Sequence, residues 1–139
     1  MGLGNRVISN SSACITGSES ILLGFEHLKL GKAKRMLCGS TEGDGILIWG
    51  AFDPMRILTS DSNNTPEQGS RPLCKTSVGF VPGGGSGALV LETLESAQKR
   101  NAKIYAEILG ADVNSGGFRS GGSMTAPFSS AVFFCMSYT

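Results

Sequence analysis

The chain has no long apolar run, no excess of either charge and no signal-peptide pattern. Its 139 residues include 12 basic and 11 acidic side chains, so the formal net charge is +1. We therefore expect no nucleic-acid partner and no attraction to a membrane surface, both of which favour basic patches. No apolar stretch is long enough to cross a bilayer, and the N-terminus lacks the charged-then-apolar order of a secretory leader.

Histidines and cysteines are too few and too scattered to predict a metal site. The chain holds one histidine, His27, and four cysteines, none close enough to another to form a CxxC pair. A structural zinc site needs four such ligands at characteristic short spacings, so we expect no bound metal. In the absence of a secretory leader we expect reduced thiols and a cytoplasmic location.

One cysteine lies in a sequence setting that favours a nucleophile. Cys14 falls in the run SSACITG, between a strand candidate at 5–10 and an amphipathic helical pattern at 14–30. At such a junction the helix presents unpaired N–H groups and a partial positive charge, which favour a thiolate and can hold an acyl oxygen. Cys14 is therefore the candidate nucleophile, and a small buried residue is the alternative interpretation.

The hydrophobic pattern along the chain predicts an α/β fold. A buried strand pattern at 34–40 follows the helix, so strand, helix and strand would form a βαβ unit with parallel strands. Downstream, the pattern predicts a helix at 46–58 that is interrupted near Pro54, and then a loop at 59–75. It further predicts strands at 77–81, 87–92 and 103–112, with a helix at 92–101 before the last of them. The glycine run at 83–85 precedes a strand pattern, which favours a tight turn over a dinucleotide site.

Several motifs in a fixed order resemble a known family. Over residues 5–127 the chain contains SSACITG, MLCGSTEG, GAFDPMRILTS, SRPLCKTSVGFVPGGGSGALVLETLESAQKRNAKIYAEILG and MTAP. In this order and spacing they resemble the β-ketoacyl-acyl-carrier-protein synthases, most closely the elongating type II enzymes. The resemblance implies a partial thiolase-like layered α/β/α fold with a mixed, mainly parallel sheet.

The resemblance also implies an activity and its site residues. Cys14 matches the nucleophile that takes an acyl group from the phosphopantetheine of an acyl carrier protein, before decarboxylative condensation with malonyl carrier protein. Phe52 matches a position lining the acyl pocket, and Thr125 lies in a motif near the substrate channel. No cofactor is implied beyond the carrier arm. The segment Arg6–Asn10 matches the strand that pairs across the twofold axis of the family's homodimer.

The chain departs from the family pattern in three respects. The family is much longer, and its two histidines that drive decarboxylation, a lysine and a Gly-Phe-Gly turn have no counterpart here. Position 74 is a cysteine where the family usually has an acidic residue. After Pro127 the sequence no longer follows the family. We therefore expect residues 1–127 to be a partial N-terminal region and residues 128–139 to be an atypical tail, consistent with an out-of-frame reading.

Two alternative functions stay open at this point. The chain could be a non-catalytic partner of a condensing enzyme with a role in dimerisation and chain length, which the missing histidines favour and the retained Cys14 disfavours. It could also be another thiolase-like cysteine acyltransferase, which the spacing from Cys14 to GFVPGGGSG and the KIYAEILG run disfavour. For the 139 residues alone, we expect at most acyl transfer to Cys14.

Overall fold

Helices and strands alternate along the chain in the computed structural model, which describes residues 4–115 and 130–138. The α-helices in these ranges are α1 at Thr16–Lys29, α2 at Ile46–Phe52 and α3 at Leu94–Lys99. The strands are β1 at Arg35–Glu42, β2 at Gly85–Glu92, β3 at Ala106–Ser115 and β4 at Ser130–Tyr138. Short 3-10 turns lie at Ala13–Ile15, Asp53–Met55 and Pro66–Gln68. The predicted α/β class is confirmed.

The described residues form two compact units. One unit contains the residues up to Ser40 and those from Gly87 onward, and the other contains Thr41–Ser86. The first unit holds α1, α3, β3, β4 and most of β1 and β2, whereas the second holds α2 and the turns that follow it. No helix in the described ranges combines the length and hydropathy needed to span a membrane.

Helix α1 ends where the sequence predicts. Gly31 has a φ of +67°, a conformation that glycine adopts without steric penalty. Its N–H donates to the Leu28 carbonyl at 3.0 Å, and the N–H of Lys32 donates to the His27 carbonyl at 3.0 Å. These two bonds form a Schellman motif, which satisfies carbonyls that the helix would otherwise leave unpaired.

Strands β1 and β2 pair with each other in a two-stranded sheet. The N–H of Thr93 donates to the Lys34 carbonyl at 3.2 Å, just before β1 begins and just after β2 ends. Farther along β1, Gly39 lies directly against Gly87 and Ala88. As the residue numbers along β1 increase, those of the neighbouring residues on β2 decrease, so the two strands run antiparallel.

Strands β3 and β4 form a second antiparallel pair. Their register runs from Ala106 opposite Tyr138 to Ser115 opposite Ser130, with an irregularity between Ile108 and Gly110. Leu109 is the extra residue of this β-bulge. The parallel strands of the predicted sheet are therefore not formed among the described residues, where both strand pairs are antiparallel.

The strand predicted at 5–10 is not formed within this single chain. Residues 5–10 form no regular element and join no ladder among the described residues, so the predicted βαβ unit is not completed. A strand requires a neighbouring strand for its backbone groups, and local sequence does not provide one. The Asn5 side chain instead donates to the Lys32 carbonyl at 2.9 Å.

Three other predicted elements are changed in extent. The helix predicted at 46–58 ends at Phe52, because Pro54 lies in a 3-10 turn and Arg56 has a φ of +54°. The strand predicted at 77–81 is reduced to one parallel bridge between Leu58 and Phe80. The helix predicted at 92–101 is α3, and the Thr93 hydroxyl caps it by accepting from the Ser96 N–H at 3.3 Å.

Candidate active site

Cys14 is presented at the beginning of α1. It is the central residue of the 3-10 turn Ala13–Ile15, which continues directly into the 14-residue helix. Its thiol is unpaired and the residue is exposed. The position is thus neither inside the helix nor sealed beneath other side chains. The amino end of a helix of this length favours negative charge, which suits a thiolate or the oxyanion of an acyl-transfer intermediate.

A polar network fixes the backbone on both sides of Cys14. The Thr16 hydroxyl accepts from the Ser12 N–H at 2.8 Å and donates to the Ala13 carbonyl at 2.7 Å. The Glu19 carboxylate accepts from the Asn10 amide at 3.2 Å and from the Ser12 hydroxyl. Sequence reasoning missed these supporting residues. The Thr-x-x-Glu spacing of positions 16 and 19, typical of a helix start, was the available signal.

Ala13 has an unusual backbone conformation next to Cys14. Its φ is +50°, in the left-handed region that non-glycine residues rarely adopt. Such a residue costs about 1–3 kcal/mol and persists only where its surroundings hold it. Here the hydrogen bond from Thr16 to the Ala13 carbonyl supplies part of that restraint. The turn therefore presents Cys14 in a conformation that the adjoining hydrogen bonds maintain.

No histidine of the chain can act directly on Cys14. The only one, His27, lies near the other end of α1, thirteen positions after Cys14, which corresponds to about 20 Å along a helix. A general base must come within hydrogen-bond reach of the group it deprotonates. Among the described residues, no cluster of three or more His, Cys, Asp or Glu side chains could hold a metal ion.

The other three cysteines have different surroundings. Cys38 is buried in β1 and is 4% exposed, and burial raises the pKa of its thiol, as befits an inert core residue. Cys74 is exposed, and a hydrogen bond with the Thr76 hydroxyl at 3.3 Å lowers the pKa of its thiol. Cys135 is exposed in β4. Cys38 therefore lies in the core, within the strand that the hydrophobic pattern predicts at 34–40.

The two predicted substrate-binding residues have different outcomes. Phe52 is half-buried in the last turn of α2 and packs edge-on against Phe80, with 5.2 Å between ring centroids. It belongs to the Thr41–Ser86 unit, and its role in lining an acyl pocket stays a prediction. Thr125 lies outside the described residues.

A cavity of about 320 Å³ lies between the N-terminal segment, α1 and β1. Its walls come from residues 4–8 and Asn10, from Ser20, Leu23 and Gly24 of α1, and from residues 35–38 of β1. Cys14 is not part of this wall. The cavity is therefore a feature of the α1–β1 packing and lies apart from the thiol.

Comparison with known proteins shows the family of this chain. Residues 1–97 match the family model described as beta-ketoacyl synthase, N-terminal domain. The chain is 43% identical over 115 residues to 3-oxoacyl-acyl-carrier-protein synthase I, chloroplastic, of Arabidopsis thaliana. The aligned region covers 82% of this chain and 24% of that protein. It is 38% identical over 123 residues to 3-oxoacyl-acyl-carrier-protein synthase 2 of Mycobacterium tuberculosis strain H37Rv, covering 87% of this chain and 28% of that protein.

Solved structures agree with the sequence matches. A beta-ketoacyl synthase from Burkholderia phymatum superposes with a TM-score of 0.77 at 36% identity, over 82% of this chain and 28% of that one. A type II polyketide ketosynthase in complex with its acyl-carrier protein superposes with a TM-score of 0.78 at 30% identity, over the same shares of the two chains. These neighbours confirm the predicted thiolase-like fold. The chain spans 24% to 28% of the length of these relatives.

Proposed function

Because this chain belongs to the beta-ketoacyl synthase family through its N-terminal domain, we propose that it is the nucleophile-bearing part of a 3-oxoacyl-acyl-carrier-protein synthase. The observation that carries the proposal is the presentation of Cys14, exposed and unpaired, in the turn that starts α1. Similarity to synthases of fatty-acid and polyketide formation supports this reaction class.

The first half of the proposed reaction is acyl transfer to Cys14. The thiolate attacks the carbonyl carbon of an acyl thioester, and a new C–S bond forms. The negative charge that develops on the carbonyl oxygen lies at the amino end of α1, where backbone N–H groups favour it. The bond to the carrier thiol then breaks, and that thiol leaves with the proton that Cys14 gave up. The product is an acyl-cysteine at position 14.

The second half, decarboxylative condensation, belongs to the whole enzyme in our proposal. There the malonyl thioester loses carbon dioxide, the resulting carbanion attacks the acyl carbon, and the Cys14 thiolate leaves. The resemblance assigns two histidines to this step. The only histidine in the 139 residues, His27, is about 20 Å from Cys14 along α1. We therefore propose that these residues alone perform only the acyl transfer.

An acyl carrier protein is the proposed partner, with its phosphopantetheine arm as the carrier of the acyl group. One structural neighbour was solved with such a protein, which supports the same class of partner here. We also propose a reducing, cytoplasmic location, in keeping with four cysteines that are all unpaired.

A homodimer through Arg6–Asn10 is proposed as well. Val7 is 86% exposed, and residues 7–9 take part in no ladder within the described part of the chain, so their backbone groups remain available to a second copy. Ser9→Pro removes one donor from this segment and should convert a dimer to a monomer in sedimentation velocity. Equal sedimentation of the two proteins would count against pairing through this segment.

Acyl transfer can be tested by incubating the chain with the octanoyl thioester of N-acetylcysteamine and mapping acylated peptides by mass spectrometry. We expect the octanoyl group on Cys14, its loss in Cys14→Ala, and its retention in the matched control Cys74→Ala. Octanoylation of Cys74 at the same rate as Cys14, or none at Cys14, would refute the proposed function. Release of carbon dioxide from a malonyl thioester by the pure chain would refute the restriction to acyl transfer.

A further inference from the structure

Glu19 joins α1 to the segment that leads into Cys14. It is the fourth residue of α1 and is half-buried. One of its carboxylate oxygens, Oε2, accepts a hydrogen bond from the Asn10 side-chain amide at 3.2 Å and another from the Ser12 hydroxyl. These two donors lie four and two positions before Cys14. A single oxygen atom thus ties both of them to the start of α1.

The Ser12 hydroxyl depends on Glu19 for its hydrogen bond. Ser12 is half-buried, and its hydroxyl has no other partner in the described part of the chain. The Asn10 amide has a second acceptor, the Thr16 carbonyl at 3.3 Å. A polar group that is withdrawn from water and left without a partner favours a rearrangement that exposes it. Loss of the Glu19 carboxylate should therefore release the Ser12 side chain from α1, whereas Asn10 retains one of its two bonds.

Ser12 is connected in turn to the peptide group that joins Ala13 to Cys14. The Ser12 N–H donates to Thr16 Oγ1 at 2.8 Å, and that hydroxyl donates to the Ala13 carbonyl at 2.7 Å. The Thr16 N–H donates to the same carbonyl. In a trans peptide the carbonyl and the following N–H point in opposite directions, so the Cys14 N–H points away from α1. It has no acceptor among the described residues, and it is therefore available to an acyl oxygen.

We propose that Glu19 is a positioning residue for acyl transfer to Cys14. It acts through Ser12 and Thr16 on the direction of the Cys14 N–H, which is a donor for the negative charge on the acyl oxygen. The inference rests on the proposed function, because acyl transfer is the reaction that uses this donor. A misplacement of about 1 Å in such a group can lower a rate about a hundredfold, so a small rotation of this peptide is sufficient for a measurable loss.

Variants at position 19 that differ in the acceptor oxygen test the proposal. Glutamine keeps an oxygen that can accept both hydrogen bonds, whereas methionine has a similar length and only a weakly accepting sulfur. All three residues favour a helix to a similar degree. We expect Glu19→Met to slow transfer from the octanoyl thioester of N-acetylcysteamine to Cys14 about tenfold or more, and Glu19→Gln to stay within about threefold of the wild type. Transfer at the wild-type rate in Glu19→Met, or an equal loss in Glu19→Gln, would overturn the proposal.

Alkylation of Cys14 by iodoacetamide separates a loss of positioning from a loss of the thiol or of the fold. In this reaction the thiolate forms a C–S bond, iodide leaves and the thiol proton goes to water, so no oxyanion donor takes part. The alkylation rate depends on the thiolate and its exposure, and it should stay within about threefold of the wild type in both variants. If alkylation and octanoyl transfer fell by the same factor in Glu19→Met, the proposal would be wrong.

Two further variants complete the test. Glu26→Met is the matched control and should leave octanoyl transfer unchanged, because Glu26 is exposed on the same helix and forms no hydrogen bond or ion pair with the described residues. Ser12→Ala removes the donor of the bond and should slow transfer as Glu19→Met does. It decides the matter alone if circular dichroism shows that Glu19→Met is unfolded. The double variant should be less impaired than the product of the two effects, since both remove the same bond. Multiplicative effects, or an equal decrease in Glu26→Met, would overturn the proposal.

The failure of this inference differs from the failure of the proposed function. Hydrogen exchange of the Ser12 amide, which donates to Thr16, reports on the hydrogen-bond network without any reaction. A wild-type chain that accepts no octanoyl group at Cys14 would refute the proposed function, even where this exchange is faster in Glu19→Met than in Glu19→Gln. A chain that accepts the octanoyl group equally fast in all variants would refute the positioning role alone.

Discussion

Gly24→Ala would insert a methyl group where α1 lies close to the β1–β2 sheet. A Cβ at this position would lie 2.3 Å from Cys38 Sγ and 3.2 Å from Leu91 Cδ1. Ordinary contacts between non-bonded carbon atoms are about 3.5–4.0 Å. Cys38 is 4% exposed, and both it and Gly24 border the cavity between α1 and β1. The substitution must therefore displace α1 from the sheet or force the Cys38 side chain out of its rotamer.

Two opposing effects set the magnitude. Overpacking a contact between helix and sheet costs about 1–3 kcal/mol, whereas alanine favours a helix interior over glycine by about 1 kcal/mol. Gly50→Ala in α2 is the matched control, because no atom lies within 4 Å of its new Cβ. We expect Gly50→Ala to stabilise the chain by up to about 1 kcal/mol. The two substitutions should therefore differ in free energy of unfolding by about 1–3 kcal/mol.

Urea denaturation followed by circular dichroism measures these free energies, and a double-mutant cycle with Cys38→Ala identifies the clash. Cys38→Ala removes the sulfur that the new methyl group would meet, so the double variant should be less destabilised than the sum of the single variants by about 1–2 kcal/mol. Stabilisation by Gly24→Ala equal to that of Gly50→Ala would refute the close approach of α1 to the sheet. Additive effects within about 0.5 kcal/mol would show that Cys38 is not the clashing group.

Three further predictions concern other parts of the chain. Gly31→Ala should destabilise the chain by about 1 kcal/mol in thermal unfolding, because Gly31 has a φ of +67°. Gly31→Asn should destabilise it less, since asparagine tolerates this conformation better. Equal melting temperatures for the wild type and Gly31→Ala would contradict this prediction. Hydrogen bonding from Arg100 lowers the pKa of the Glu92 carboxyl below its ordinary 4.5. The stabilisation that the Glu92 carboxylate contributes is therefore present above pH 4.5 and is lost as the pH falls through the pKa of Glu92 in the folded state. Glu92→Gln should therefore unfold with a shallower acid dependence, and an unchanged slope in urea titrations below pH 4.5 would argue against the ion pair. The Thr76 hydrogen bond lowers the pKa of Cys74 below 9.0, so Thr76→Val should move the pH midpoint of Cys74 alkylation upward, with Cys14 as the internal reference.

Elements with a strong local pattern could be predicted from the sequence. The amphipathic run and Gly31 fix the extent of α1, and with it the position of Cys14 at its start. The apolar run around Cys38 predicts β1, although Cys38 is the one buried residue of that strand. In each case the side chains themselves specify the element and the face it buries, so no distant part of the chain is needed.

Features that depend on distant residues could not be predicted. Arg6–Asn10 has a strand-like composition but forms no strand, because pairing depends on a neighbour and not on local propensity. The left-handed conformation of Ala13 depends on surrounding hydrogen bonds, among them that from Thr16, which composition does not reveal. Strand β4 is not predicted, because its formation depends on pairing with the distant strand β3.

The antiparallel course of β1 and β2 makes the segment between them a replaceable module. Gly84 lies against Glu42 and Asp44, so the segment leaves and rejoins the sheet at nearly one point. The entropic cost of closing such a loop grows only logarithmically with its length. The length and sequence of the segment can therefore change with little effect on the stability of the two strands. Phe52 lies within this segment. The sequence of this segment can thus diversify while the helix that follows Cys14 and the two strands stay the same.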